Sequence, residues 1–505
     1  MGRVLFALLI AFLGMSSETL CATDAGQPET SNSDSQMMPA LRAIVGYGML
    51  SHDAYSDLQE LSDNIGARLT GSPGAAEAVD WASGKMRAIG LSNVHTELWQ
   101  LRHGWSRVSA QAELIAPVRR LLNVDSMGWV GSTPSGGIEA EVVPVDIALT
   151  EPSLSERHWN GKIVLVISSD KDPNSNENKI KNFLKFRSLL ETASLTHAAA
   201  FINALSGTTD VGMQLTHTSS VGFDAFDDVP VLTMATEDQQ QLLRFLNRGE
   251  SVKIKLNVQN RVTSGPVDSV NVIGEIPGAE HPEQVIVVGA HLDSWDLAQG
   301  ATDNGSGVVA CLGAADAIMK SRLRPKRTIR FVLFTGEEQG LVGSRAYVQT
   351  HRNELPSYVA AIVIDQGPGP VIGVSLGGRD DLVSKMKPLA RLVEDFGAFE
   401  IDDRPSFGTD SASFMVAGVP GFTLNQNSPQ YKYTHHSKAD TLDKVEPSAL
   451  ARNATLLAVI SFWIADLPER LAEPWPKART QRMLIEHKYD ELLKSIGWWS
   501  EIASQ

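Results

Sequence analysis

Four short runs, SVNVIGEI, QVIVVGAHLD, TIRFVLFTGEE and VAAIVIDQG, follow one another from about residue 269, and each is rich in apolar residues, valine and isoleucine above all. Strands apolar at every position are buried on both faces, which is the condition of a parallel sheet sandwiched between helices. Helical spacing in intervening segments such as GVVACLGAADAIMK completes the alternation. The expected fold is α/β, a mixed and mostly parallel sheet covered by helices. Sheets of this kind bind ligands at the carboxyl ends of their strands, so the residues that follow each run are the ones to read for chemistry.

The rest of the chain is organised around this block. At 505 residues it exceeds one ordinary domain. Residues 41–65 and 74–90 have helical spacing and are separated by the turn-rich ARLTGSPG. A β-rich character begins near 105. Between 117 and 262 the pattern turns to short apolar runs bounded by turn residues: VVPVD, GKIVLVIS, HAAAFINA and VPVLTMATED. We read 117–262 as a compact inserted β-rich domain, the alternative being extra strands on the main sheet. The main domain is then 41–116 plus 263–470. A tail over 471–505 contains RMLIEHKYDELLKSIGWWS, expected as one amphipathic helix docked on the body or on a second copy, as in a homodimer. At the other end, Arg3 precedes an apolar run too short to span a bilayer, followed by small and polar residues. This predicts a signal peptide over 1–22 cleaved near Ala22, a polar linker over 23–40, and a secreted or periplasmic protein with no stable membrane span.

Composition narrows the partners. The formal charge is −15, which argues against nucleic acid and anionic membranes, whose partners carry basic patches. It suits cation binding, although an acidic solvated surface alone would look the same. Of two cysteines, Cys21 sits at the edge of the signal and Cys311 in an apolar helical stretch. There is no disulfide framework, and Cys311 reads as a small buried hydrophobe.

The strand ends carry a consistent chemistry. QVIVVGA runs into His291, with Asp293 two positions on; Asp303 opens the next helix; RFVLFTG ends in Glu337 and Glu338; VAAIVI ends in Asp365; and YTHHSKADT supplies His435 and His436. Singly, each has a plain explanation. Asp at a helix start is usually a cap, and a lone His-x-Asp is weak. Together they place several carboxylates at one sheet edge, where they would destabilise one another unless cations neutralised them. Such a mixed set of nitrogen and oxygen donors suits zinc, with cobalt or manganese as substitutes.

The motifs AHLDS, TDNGSG, TGEEQGLVGS, VIDQG and HHSKADT resemble those of the co-catalytic zinc exopeptidases of the aminopeptidase and glutamate-carboxypeptidase group. ARLTGSPG, GTDSASF and the doubled histidine resemble its carboxypeptidase Q branch. The resemblance implies a protease-associated domain for 117–262 and two zinc ions per chain. One ion would be held by His291 and Asp365, the other by Glu338 and His436, with Asp303 bridging both. It further implies that Asp293 orients the His291 ring and that Glu337 is the general base acting on a metal-activated water. Many relatives place a Tyr before the last metal histidine to stabilise the oxyanion. Here His435 stands there, with Tyr431 and Tyr433 as further candidates. The implied activity is hydrolysis of short peptides with a free N-terminus, as a dipeptidase. An aminopeptidase acting on longer peptides, a single-zinc glutaminyl cyclase and a non-catalytic receptor are the other readings. Asp410 and Ser413 in GTDSAS are assigned a supporting place beside the site.

Overall fold

The computed structural model describes residues 32–504 apart from 52, 150–158, 171–175, 192–196, 206–213, 223–226 and 264. The expected signal peptide and the first half of the polar linker lie outside these residues. Residues 32–40, read as linker, instead belong to a helix over Asn32–Leu50. Met37, Leu41 and Ile44 of that helix are buried, so its apolar side has a core to join.

The described strands form two eight-stranded sheets. The first runs in the order Ser92–Leu101, Val267–Ile276, Arg327–Phe334, His281–His291, Tyr358–Ile364, Gly421–Gln426, Val371–Ser375 and Glu400–Asp402. Its four central strands, from Arg327–Phe334 to Gly421–Gln426, are mutually parallel. Every residue of Tyr358–Ile364 is buried, as its unbroken apolar run requires of a strand covered on both faces. On one face lie the helices Ser306–Ser321 and Pro447–Asp466, packed together with Asn32–Leu50. The opposite face carries Phe334, Tyr347, Tyr358 and Phe414 in a separate apolar cluster. Pro447–Asp466 is long and apolar enough to cross a membrane, but most of its apolar window is buried inside the protein. It is a core helix.

The second sheet has the order Arg120–Leu122, Gly104–Ala116, Lys253–Thr263, Ile138–Asp146, Ile163–Ile167, Ala200–Asn203, Val231–Met234 and Val124–Ser126. Its outer limits are thus 104 and 263 rather than 117 and 262. The long pairing of Gly104–Ala116 with Lys253–Thr263 moves this strand out of the main domain. Alternation of apolar and polar residues marks 104–116 as a strand but does not name its partner, which only long-range pairing decides.

The tail also differs from expectation. RMLIEHKYDELLKSIGWWS is three short helices, Lys477–Glu486, Asp490–Ser495 and Trp498–Ser504, not one. Left-handed backbone at Lys488 and Gly497 breaks the helical run at both junctions. Met483, Leu484, Leu492, Leu493 and Trp498 pack on Leu341, Ala412 and Met415, so the tail docks on the body of its own chain.

Candidate metal centre

The parallel strands deliver the expected residues to one edge. His291 is the last residue of its strand, Asp365 directly follows Ile364, and Glu337 and Glu338 follow Phe334 across the turn Thr335-Gly336. That turn needs its glycine, because Gly336 has φ +77° and a Cβ there would meet the Trp99 ring. Asp303 lies in an irregular turn before helix Ser306–Ser321, with extended rather than helical backbone. His436, itself in the left-handed region, follows the short helix Tyr431–Thr434.

These side chains converge into two groups that share Asp303. His291 Nε2 is 3.3 Å from Asp303 Oδ1 and 3.2 Å from Asp365 Oδ1. His436 Nε2 is 3.4 Å from Asp303 Oδ2 and 3.0 Å from Glu338 Oε2. Donors at the vertices of a tetrahedron with metal bonds of about 2.0–2.1 Å stand about 3.3 Å apart, so His291, Asp303 and Asp365 have the spacing of a zinc site, while around the second centre Asp303 gathers with His435 and His436 and Glu338 approaches His436. A further observation agrees. Glu338 Oε1 is buried with no hydrogen-bond partner, and an orphaned buried carboxylate oxygen needs a cation or a proton. His291, Asp303 and Asp365 fit one cation, and Asp303 is shared with a second cluster at His435 and His436, beside Glu338.

Electrostatics points the same way. Burial pushes Glu338 up to about 7 and Asp365 up to about 6, with His436 and His291 opposing the rise. Burial works against charge on His436, but Glu338 and Asp303 outweigh it and raise the imidazole to about 9. Asp303 is held below the usual carboxylate range, because His291, His435 and His436 together overcome its desolvation. A divalent cation in each group would replace these competing protons. Chelation should therefore lower the unfolding temperature. At free zinc a thousand times the dissociation constant, each occupied site adds about 4 kcal/mol to folding. Thermal unfolding with and without a chelator reads this, and an unchanged midpoint would count against a bound ion.

Glu337 is differently placed. It contributes to neither group and lines two cavities, one of about 500 Å³ and one of about 570 Å³. Burial pushes its carboxyl well above the usual range, reinforced by Asp365 and Glu338 and opposed by His291.

Asp293 departs from expectation in detail. The His291 ring is oriented by the Asp293 backbone carbonyl, 2.9 Å from Nδ1, while the nearer carboxylate oxygen is at 3.6 Å. The carboxylate instead accepts from Thr70 Oγ1 at 2.8 Å and from the Glu337 amide at 3.4 Å. Asp293 therefore ties the two strand ends together. His435 stacks on the His436 ring with centroids 3.7 Å apart. Its Nε2 is 3.9 Å from Asp303 Oδ2, and its side chain is 47% exposed. Both His435 and Tyr431 line the larger cavity with His291, Asp303 and Asp365. Asp410 is fully buried, and Ser413 bonds Ser344 at 2.8 Å.

Three supporting residues went unassigned at the sequence level. Buried Arg68, in ARLTGSPG, donates to the carbonyls of Gly66, Leu292, Gln299 and Gly300 and so fixes the loop between His291 and Asp303. Asp440, in HHSKADT, accepts from the amides of Thr302 and Asp303 at 2.6 and 3.2 Å. Both sit in motifs quoted above, so a signal was present. Thr218, whose carbonyl is 2.9 Å from His436 Nδ1, belongs to the second sheet's unit and had none.

Comparison with known proteins places this geometry. The model of peptidase family M28 matches residues 271–461, which contain all five candidate ligands. Carboxypeptidase Q from Mus musculus is 30% identical over 433 residues, covering 86% of this chain and 90% of that protein. The chain belongs to peptidase family M28. As an M28 peptidase it is a metallo-exopeptidase. A peptidase M28 precursor from Shewanella amazonensis, 28% identical, superposes with a TM-score of 0.77 over 88% of this chain and 100% of that one. A zinc aminopeptidase from Bacillus subtilis, at 19% identity, shares the fold of this M28 peptidase with a TM-score of 0.62, over 84% and 97% of the two chains.

Proposed function

We propose that this M28 peptidase is an exported dizinc exopeptidase that hydrolyses short peptides with a free N-terminus, in the manner of a dipeptidase. The observation that carries the metal stoichiometry is the pair of donor clusters joined at Asp303. His291 and Asp365 would hold one zinc, Glu338 and His436 the other, and Asp303 both. When bound, such ions lower the pKa of water and polarise a carbonyl.

The chain's own residues account for proton movement and positioning. Glu337 takes the proton of the attacking water on its carboxylate and returns it to the leaving nitrogen. Its raised proton affinity suits a group that must hold that proton between the two steps. The Asp293 carboxylate, accepting from the Glu337 amide, keeps the base at its strand end. Tyr431, which lines the cavity with Asp303 and Asp365, is better placed to donate to a developing oxyanion than Tyr433, whose ring is covered by Lys432.

The size of the pocket supports the short-substrate reading. The cavity beside Glu337 is walled by Ile180 and Phe183 of the second unit, Leu341 and Phe407 of the first, and Tyr489 and Leu492 of the tail. At about 500 Å³ it has the size of a small-molecule pocket. Lys179 lies on the same wall and offers a cation to a substrate carboxylate. The second unit then acts as a protease-associated domain that limits substrate length. Purified zinc-loaded protein should be assayed on dipeptides, C-terminally amidated dipeptides, longer peptides and N-blocked peptides. Preference for free dipeptides is expected. Equal rates on long peptides would assign a broad aminopeptidase instead, and turnover of N-blocked peptides would overturn the free-amine requirement.

A further inference from the structure

We infer that the second unit positions a metal ligand: Thr218, locked by Arg107, sets the orientation of the His436 ring. This rests on the reading of His436 as a zinc ligand. Thr218 and His436 pair reciprocally, the Thr218 amide donating to the His436 carbonyl at 2.9 Å while the Thr218 carbonyl stands 2.9 Å from His436 Nδ1. With Nδ1 donating to that carbonyl, the ring presents Nε2, its free lone pair, toward Glu338 and Asp303. The neighbouring turn of the pairing is held too, since His217 Nδ1 is 2.8 Å from the His435 carbonyl.

The 214–222 segment that carries Thr218 is pinned by Arg107, on the second sheet's long strand Gly104–Ala116. Its guanidinium bonds Asp296 at 2.9 Å, in the loop that follows His291, and donates to Thr218 Oγ1 at 3.2 Å and to the Ser126 carbonyl. One cation thus ties the second sheet, the Thr218 segment and the loop beyond the first candidate ligand. Ring packing runs parallel to this clamp. Trp105 stacks on Trp129 at 5.7 Å, Trp129 meets Trp295 edge-on at 6.2 Å, and Trp295 stands 5.8 Å from His436. Gly128 allows the approach, because a Cβ there would fall 2.5 Å from the Trp295 ring. The His291 ring has its direct partner elsewhere, its Nδ1 being served by the backbone of Asp293 in the first sheet's unit. The two halves of the site are therefore oriented by different parts of the protein.

Loss of an outer-shell partner to a metal histidine typically weakens metal binding about 10- to 100-fold. Thr218→Val removes the hydroxyl that Arg107 grips while keeping shape, and Arg107→Met removes the clamp. In both, titration of the metal-free full chain with zinc, followed by total bound metal and by the visible spectrum of a cobalt-substituted sample, should show one site unchanged and the other weakened about 10- to 100-fold. His217→Ala should weaken the same site less. Two sites of wild-type affinity in folded Thr218→Val and Arg107→Met proteins would overturn the inference, as would equal weakening of both sites. Wild-type protein that binds only one ion would instead refute the two-metal reading on which it rests. Far-ultraviolet circular dichroism of each variant separates loss of a ligand's orientation from loss of the fold.

Discussion

Glu337→Gln is expected to lower the turnover number about 100- to 10,000-fold while leaving two bound metals per chain. The substitution keeps size and hydrogen-bonding reach and removes only the capacity to accept and carry a proton. Nothing in the backbone should move. The Glu337 amide faces Asp293, and its carbonyl accepts from the amides of Gly340 and Leu341, so the turn is held without the side chain. Glu338, the next residue, behaves differently because its Oε2 stands 3.0 Å from His436 Nε2 inside the donor group. Glu338→Gln should lose metal as well as activity. Metal content by atomic spectroscopy beside steady-state rates distinguishes the two. If Glu337→Gln lost an ion, Glu337 would be a ligand and the assignment of the base would be wrong.

Asp303→Ala should empty or severely weaken both sites at once, with activity falling to background. Its two oxygens point to different groups, Oδ1 at 3.3 Å from His291 and Oδ2 at 3.4 Å from His436. Without it, each ion would keep two protein ligands where catalytic zinc sites ordinarily have three. The remaining buried carboxylates would then face one another with less cation between them, so a lower unfolding temperature should accompany the loss. Retention of two tightly bound ions in this variant would refute the bridge and require Glu338 and His436 to form a complete site alone or with His435.

Much of this was legible in advance, for identifiable reasons. An unbroken apolar strand such as Tyr358–Ile364 has to be covered on both faces, so its place in a central parallel sheet follows from hydrophobicity alone. The rule that ligands meet at strand carboxyl ends then singled out His291, Glu337, Glu338 and Asp365, and the structure does gather them. Asp303 illustrates the opposite case. A helix cap and a bridging ligand are the same residue in the same place, and only its neighbours separate the two roles. That the strand Gly104–Ala116 pairs with Lys253–Thr263 in the second sheet was not legible, because alternation fixes which face is buried but not which strand lies alongside. The tail was read as one helix because left-handed backbone at Lys488 is a tertiary compromise with no strong local signal.

Composition and periodicity determined that this chain is α/β with a strand edge rich in metal-ligand types, since burial and charge repulsion act on residue types wherever they sit, and the likeness of its motifs to a known family added the peptidase. The tertiary structure alone decided how that edge is completed. Arg68 holding the loop between His291 and Asp303, the Asp293 carbonyl turning the His291 ring, and the Thr218 carbonyl turning His436 are all hydrogen bonds between residues more than two hundred positions apart or to backbone atoms. A backbone carbonyl is identical at every position in the sequence, so its part in a site emerges only when folding brings it there.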